Sequence, residues 1–529
     1  MNFENDSPSP GPLGYILPSL SPISSLPNEL LLSIFDAVRF SDEVQVDQQD
    51  SIRCVSQVCR RWRNLALEPS FWQFVYISQK SIDLTASMED PHLVDEASIF
   101  PWVTTVLGRS QTLPLDVVIE LWSDSFDPVV QESESESERN FFWTHSHSVV
   151  LSRILTRYAS QLYSVTISSQ IWRPLQDIGT CLIGVQMPLL QEWSVNRENP
   201  RWRHAFCSGL EPGATMPALE APRGINVSME EYTTAMFPSL RFLSLSGSLQ
   251  DWTRFTPSNL RAIDLKYIPL NCRPTYQELK ALLLASQFSL ESLTLWGAMP
   301  IEMGQKITLP NLHSLSLGFS FPEAALCLPY VLDVPNLEQL EIYHILPQNH
   351  LDSAGSQSMD EILISYFYLA MIHRWPLNQL THLALRSPFF PFGEFEELDV
   401  SFREKRQGAW VPVLLSFFLQ CTSVTHLSFL DPDKSTLRAL VSPVWMNNVK
   451  EAIVPFCSLR LLHIETEDHV NFMDFLDRLS CCDKADHVLP RRIGSMTLEG
   501  LLDWGEIRDY FASDKWARKD LTEFESCLV

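Results

Sequence analysis

No stretch of the chain approaches the eighteen or so consecutive apolar residues of a membrane span. The longest apolar runs, Ile362 to Ile372 and Val411 to Leu419, are shorter and broken by polar residues or proline. The first residues carry Glu4 and Asp6 with no apolar run, so a signal peptide is not expected. There is no Cys-x-x-Cys, and the 11 cysteines follow no regular pairing, which suggests reduced thiols in a cytoplasmic or nuclear protein. Basic charge is also scarce: 39 Lys and Arg stand against 64 Asp and Glu, a net charge of −25. That excludes sequence-independent nucleic-acid binding, which needs a basic face. Gly-x-Ser-x-Gly, a phosphate-binding glycine loop, a dinucleotide glycine signature and His-Glu-x-x-His are all missing. No catalytic residue, metal site or cofactor is therefore assigned. His145-Ser146-His147 supplies only two imidazoles, and two ligands do not close a metal site.

Against these absences, the composition is that of a folded protein, with 45% hydrophobic and 19% charged residues over 529 positions. Leu26, Leu30, Leu31, Ile34, Phe35 and Val38 recur at helical spacing, with Pro27 in the first turn. An insert from Phe40 to Gln49, containing Asp42, Glu43 and Asp47, is expected as a loop. A second helix opens at Asp50 or Ser51 and carries Ile52, Val55, Cys59, Trp62 and Ala66 on one face, widened by Val58 and Leu65. Arg60, Arg61 and Arg63 are placed on its remaining surface. Pro69 ends that helix and opens a short turn with Phe71 and Trp72. Three short helices of about fifty residues have too little interior to bury this much apolar surface, so part of it must meet something else.

The Leu26-Pro27, Glu29-Leu30, Ile34-Phe35, Val58-Cys59-Arg60-Arg61-Trp62 and Phe71-Trp72 pairs and runs resemble the F-box. This is the helical module by which substrate receptors dock on the Skp-family adaptor of cullin ubiquitin ligases. The insert departs from the family pattern. The resemblance implies an adaptor-binding set of Leu26, Pro27, Leu30, Leu31, Ile34, Phe35, Val55, Val58, Cys59, Trp62 and Leu65.

From about residue 160 one phrase recurs, Leu-x-x-Leu-x-Leu, usually after Pro, Ser or Asn. Strict copies, counting Ile as Leu, start at Leu240, Leu260, Leu290, Leu312, Leu337, Leu380 and Leu459, and looser ones at Leu162, Leu190, Val424 and Ile493. Chance would supply roughly two or three strict copies. In the copy at Leu312, Leu315 and Leu317 point to one side of a strand while Ser314 and Ser316 point to the other. Capping boxes at Thr275-Tyr276-Gln277-Glu278 and Ser358-Met359-Asp360-Glu361 open helices between copies, and Ser148 to Ala159 reads as a third helix. The expected fold is α/β: a three-helix module, then an irregular leucine-rich-repeat-like solenoid of short parallel strands with helices on its convex side. An α/β domain with parallel strands and crossover helices gives the same local patterns. The spacing of copies is irregular, and Ser248, Ile268, Ala298, Ser320 and Ile345 stand where the repeat family has Asn or Cys. A polar ladder along the edge is therefore not expected.

The boundaries follow: a disordered tail over 1–22, the F-box over 23–78, a linker and lead-in segment over 79–147, the repeat domain over 148–505, and a tail over 506–529. Trp102 to Leu107 reads as helix, Gly108-Arg109-Ser110 as its break, and Leu115 to Leu121 as a strand leading into the repeats. That run is similar to the segment after the F-box in large F-box families of mushroom-forming fungi. Within the linker, the Glu-Ser alternation from Glu132 to Glu138 marks a solvated acidic loop over 123–140 whose serines could be phosphorylated.

Repeats of this kind bind through residues alternating with the core leucines. That register selects Phe242, Asp264, Lys266, Trp296, Glu341, Tyr343, Arg386, His426, His463 and Glu465 as substrate-binding candidates. Together the two modules imply a non-enzymatic substrate receptor of a Skp–cullin–F-box ubiquitin ligase, with a cullin reached through the adaptor. The alternative is an F-box scaffold outside the ligase.

Overall fold

The computed structural model describes residues 22–41, 45–83, 92–122, 142–182, 184–197, 237–247, 252, 257–269, 272–300, 304–319, 325–345, 357–387, 413–432, 436, 440, 444–445, 452–453, 456, 458–465 and 495–499. The expected tails (save residue 22), the acidic loop 123–140 and residues 42–44 of the insert lie outside the described residues.

Helix α1 (Asn28–Ser41) begins one residue after Pro27, whose carbonyl accepts the Leu31 N–H at 3.1 Å. Proline thus caps the helix rather than occupying its first turn. Two helices follow where one is expected: α2 (Gln45–Val58) and α3 (Arg60–Leu65). The chain breaks at Cys59, whose backbone is extended and whose Sγ accepts the Trp62 N–H at 3.5 Å. This cap lets α3 turn back, so that the Trp62 ring meets Phe35 with centroids 5.1 Å apart. From Gln45 onward the acidic insert is helix, not loop. The Pro69–Trp72 turn forms as the spacing requires and buries Phe71 and Trp72.

Strand β1 (Phe74–Ile77) follows at once, so the sheet starts inside the segment assigned to the helical module. Helix α4 (Pro101–Ser110) contains Gly108 instead of ending at it. After β2 (Leu115–Leu121), helix α5 (His145–Arg157) opens three residues earlier than expected. Thr144 caps it, and the Thr144 N–H donates to His147 Nδ1 at 2.9 Å. Then come β3 (Leu162–Ser169), α6 (Trp172–Cys181), β4 (Glu192–Arg197), β5 (Phe242–Ser246) and β6 (Ala262–Lys266). Helix α7 (Tyr276–Ala285) forms behind the expected Thr275–Glu278 capping box. Next are β7 (Ser292–Trp296), β8 (Ser314–Phe319) and β9 (Gln339–His344). Helix α8 (Gln357–Arg374) starts before Ser358, which therefore sits inside its first turn. There follow β10 (His382–Arg386), α9 (Val413–Gln420), β11 (His426–Leu430), β12 (Leu461–Glu465) and β13 (Ser495–Glu499).

These strands form one 13-stranded sheet in which strand order follows chain order, without the reversal of a doubly wound sheet. Every neighbouring pair is parallel except the last, where β13 runs against β12. Register converts the repeated phrase into columns. One column runs Leu243–Ile263–Leu293–Leu315–Leu340–Leu383–Leu427–Leu462, and a second runs two residues further along each strand from Leu245 to Ile464. The leucine that opens each strict copy makes a third, and all three columns are buried.

Two further regularities escape the leucine pattern. Just after five of the strands the backbone turns through positive φ, at Gly247, Tyr267, Gly297, Ser387 and Asp431. There each N–H reaches a carbonyl of the next strand, for instance Gly297 N–H to Gly318 O at 2.7 Å. The residue before the opening leucine donates across copies: Ser239 Oγ to Pro188 O (2.6 Å), Ser289 Oγ to Leu260 O (2.9 Å), Asn311 Nδ2 to Phe288 O (2.6 Å) and Asn336 Nδ2 to Pro310 O (2.7 Å). A polar ladder therefore does exist. It lies at the strand entrance, whereas Ile268, Ala298 and Ile345 fill the expected position as core residues.

The helices supply the other wall of the core. An aromatic seam joins them to the sheet: Phe319–Phe367 (5.3 Å), Tyr368–Phe417 (5.0 Å) and Phe418–Phe456 (4.9 Å). Among the described residues, no helix is long and apolar enough to cross a membrane.

Two histidines are locked neutral in this core. Burial lowers His147 to about 4 and His344 to about 3. In the unfolded chain each takes up a proton near pH 6.5, so below that pH the unfolded state binds more protons and the fold loses stability as pH falls. Each histidine is expected to cost about 2 kcal/mol at pH 5 relative to pH 7.5. Urea midpoints at the two pH values measure this, and His344→Phe should remove its share of the loss.

Candidate functional site

Two surfaces carry the candidate residues. The first lies on the helical module, where burial divides the expected set. Leu31 and Phe35 are 0% exposed and Val55 is 7%, so these three are core residues and unavailable to a partner in this conformation. Leu26, Trp62 and Leu65 are half-buried against the same core. Facing outward are Leu30 at 51%, Ile34 at 38% and Val58 at 61%, with Pro27 and Cys59 also exposed. Val38 continues the Leu30–Ile34 stripe one turn on, and Leu67 is a further exposed apolar residue outside the expected set.

Arg61, read from the sequence as part of the remaining surface, has a positioning task instead. Its guanidinium donates to Asn28 Oδ1 at 2.7 and 3.0 Å and also to the Leu26 carbonyl. The start of α1 is thereby tied to α3 across 33 residues of sequence. Helical periodicity holds no trace of this contact, because it joins two elements end to end.

The second surface is the outward face of the sheet. All ten candidates occupy alternating positions on that one face, as the register requires. Six come together around Trp296. Lys266 Nζ is 3.0 Å from Asp264 Oδ2 and 4.6 Å from the indole centroid. Arg386 lies 5.3 Å from the same centroid and is paired with Glu341. Trp296 Nε1 donates to Ser316 Oγ at 2.6 Å, and that hydroxyl donates to Glu341 Oε2 at 2.7 Å. Tyr343 meets the indole edge-on at 5.3 Å, and Tyr267 does so at 6.3 Å. Cations over an indole face and satisfied hydrogen bonds fix the ring in place.

The other four candidates stay outside this cluster. Phe242 stands 43% exposed on β5. His426 stacks on His382 at 4.3 Å, with the rings only 11° apart. Burial, and then His426, lowers the pKa of His382, while Glu338 opposes the shift. His463 lies 3.9 Å from Glu465. Ser316, Gly318 and His382 occupy the same alternating register and were within reach of the rule that selected the others. Tyr267 follows its strand and was not.

His145 and His147 are engaged separately, the former 3.2 Å from Asp177 and the latter in the α5 cap. Among the described residues no group of three or more His, Cys, Asp or Glu is placed to hold a metal ion.

Residues 23–78 match the family described as F-box-like, about one tenth of the chain. No curated protein matches the chain.

The Trp296 cluster depends on the absence of a side chain at Gly318. A Cβ there would lie 2.9 Å from Trp296 Cγ and 3.0 Å from its Cα, too close to backbone to relax cheaply. Gly318→Ala is expected to cost about 1–3 kcal/mol in denaturant unfolding. Paired with Trp296→Ala it should keep much of that cost, because Cα and Cβ of residue 296 stay 3.0 Å away and only the 2.9 Å contact with the ring carbon is lifted, which a double-mutant cycle measures.

Proposed function

We propose that the chain is the substrate-recognition subunit of a Skp–cullin–F-box-type ubiquitin ligase. F-box-like segments generally bind Skp-family adaptors, and the match here falls on the helices that expose Leu30, Ile34, Val38 and Val58. That coincidence carries the reading: the segment with the family pattern is also the segment with an apolar stripe left uncovered. Pro27 and Cys59 are exposed on the same module, while Leu26, Trp62 and Leu65 are half-buried against its core.

Behind this module, parallel strands stacked in chain order over continuous leucine columns support an irregular leucine-rich-repeat-like solenoid. Its outward face, centred on Trp296, holds a protein substrate. Catalysis belongs to the enzymes that the cullin recruits. The receptor contributes proximity, raising the effective concentration of substrate lysines near the charged conjugating enzyme.

Co-purification with the adaptor tests the reading, and burial predicts which substitutions discriminate. Leu30→Asp with Ile34→Asp should abolish adaptor retention while leaving the urea midpoint nearly unchanged, since both side chains are exposed. Leu31→Ala or Phe35→Ala should instead lower stability by about 2–5 kcal/mol. Adaptor retention by the double Asp variant would sink the assigned interface. Retention of adaptor without cullin by the wild-type chain would mark a scaffold outside the ligase.

A further inference from the structure

The outward face of the sheet is electrostatically uneven along its length. On strands β1 to β5 its described positions carry Asp116, Glu120 and Glu192 and no Lys, Arg or His. The rest of that stretch is mainly small hydroxyl and amide side chains. From β6 onward the face changes character at the Trp296 cluster, where each cation has its own carboxylate: Lys266 with Asp264, Arg386 with Glu341. The aromatic centre is therefore close to neutral, and most of the excess negative charge lies at the end nearer the helical module, with Glu465 on β12 at the other end.

Glu120 and Trp296 belong to one row. The register links Glu120, Ser168, Asn196, Ser246, Lys266 and Trp296 as successive strand neighbours. Ser168 and Ser246 are buried and Asn196 half-buried, so the floor between the two ends of the row is low and polar. Tyr76 holds Glu120 by donating to its Oε2 at 2.7 Å. Burial, and then Glu120 itself, pushes the Tyr76 phenol up, so it remains a donor. Five strand spacings of about 4.8 Å put the two ends of the row roughly 24 Å apart. An extended peptide rising about 3.3 Å per residue covers that span in about seven residues.

We infer that this face takes an extended, basic protein segment lying across the strands, with Lys or Arg over Glu120 and an apolar or aromatic anchor about seven residues away on Trp296. The inference rests on the receptor reading only in calling that segment part of a substrate; the recognition chemistry stands on the face itself. Charge complementarity favours a basic segment over an acidic or phosphorylated one, because Lys266 and Arg386 are already neutralised.

Fluorescence anisotropy of the full chain, co-purified with its adaptor, tests this. The probes are labelled synthetic peptides with a Lys-Arg pair and a Leu-Trp anchor joined by Gly/Ser spacers of about two, six and twelve residues. The six-residue spacer should bind about tenfold tighter than the others, and its affinity should fall as salt is raised. Glu120→Lys or Trp296→Ala should each weaken it about tenfold. Stronger binding of the same peptide with Asp-Glu in place of Lys-Arg would overturn the inference, as would indifference to spacer length. Loss through Phe242→Ala but not Trp296→Ala would move the anchor and overturn the spacing. Adaptor retention is scored on the same samples. Peptide failure with the adaptor retained sinks this inference alone, whereas a wild-type chain that never retains adaptor sinks the receptor reading and leaves peptide binding to be judged by itself.

Discussion

Strand-to-strand register is the constraint on which everything else rests. A five-residue strand cannot bury a face by itself, and a parallel neighbour adds burial only when its leucines fall in line. A slip of β7 by one residue against β6 would turn Leu293 and Leu295 outward and bring Ser292, Thr294 and Trp296 into the core. The buried columns and the outward rows are thus fixed by the same backbone hydrogen bonds. Trp296 can lean over Gly318 only because the register places those two residues side by side.

The helical module is not a separate bead on this sheet. Trp72 meets Trp102 at 5.8 Å, Arg109 lies 4.4 Å over Trp72, and Arg53 lies 5.8 Å from the Trp102 ring centre. One hydrophobic core runs from Leu31 to Ile464 through this junction. A buried carboxylate holds the following segment. Glu96, 7% exposed, pairs with Arg153 at 2.8 Å and Arg157 at 2.8 Å, while Arg153 also donates to the carbonyls of His92 and Val94. A buried charge satisfied this fully costs several kcal/mol if one partner is removed, which makes it an effective lock. The exposed apolar stripe and the Trp296 face are in this way carried by continuous packing rather than by a loose tether.

Much of this was legible because leucine spacing survives irregular insertions. Each strict copy of the phrase begins a strand two residues after its first leucine: Leu240 precedes β5, Leu260 β6, Leu290 β7 and Leu459 β12. The alternation rule also put all ten sheet candidates on one face. What the pattern missed has three physical causes. Cys59 breaks a helix through a backbone cap that leaves the apolar spacing intact. The polar ladder is made by Ser239, Ser289, Asn311 and Asn336, whose bonds run to other copies and have no local period. Burial separates Leu30 from Leu31 and Ile34 from Phe35, although a sequence pattern treats each adjacent pair alike.

The two surfaces differ in a way that suits two kinds of attachment. The stripe on α1 is aliphatic, so covering it gains free energy with little dependence on salt or exact geometry. A surface of that type favours a standing partner, since its exposed form is a liability in solution. The sheet face is built the other way. Its aromatic centre is half-buried and already satisfied by Lys266, Arg386 and Ser316, and hydroxyls and carboxylates surround it. A ligand gains there only by matching charge position and anchor spacing together, which limits affinity while sharpening discrimination. A lasting attachment and a readily released one make these opposite demands, and the two surfaces answer them on one continuous core.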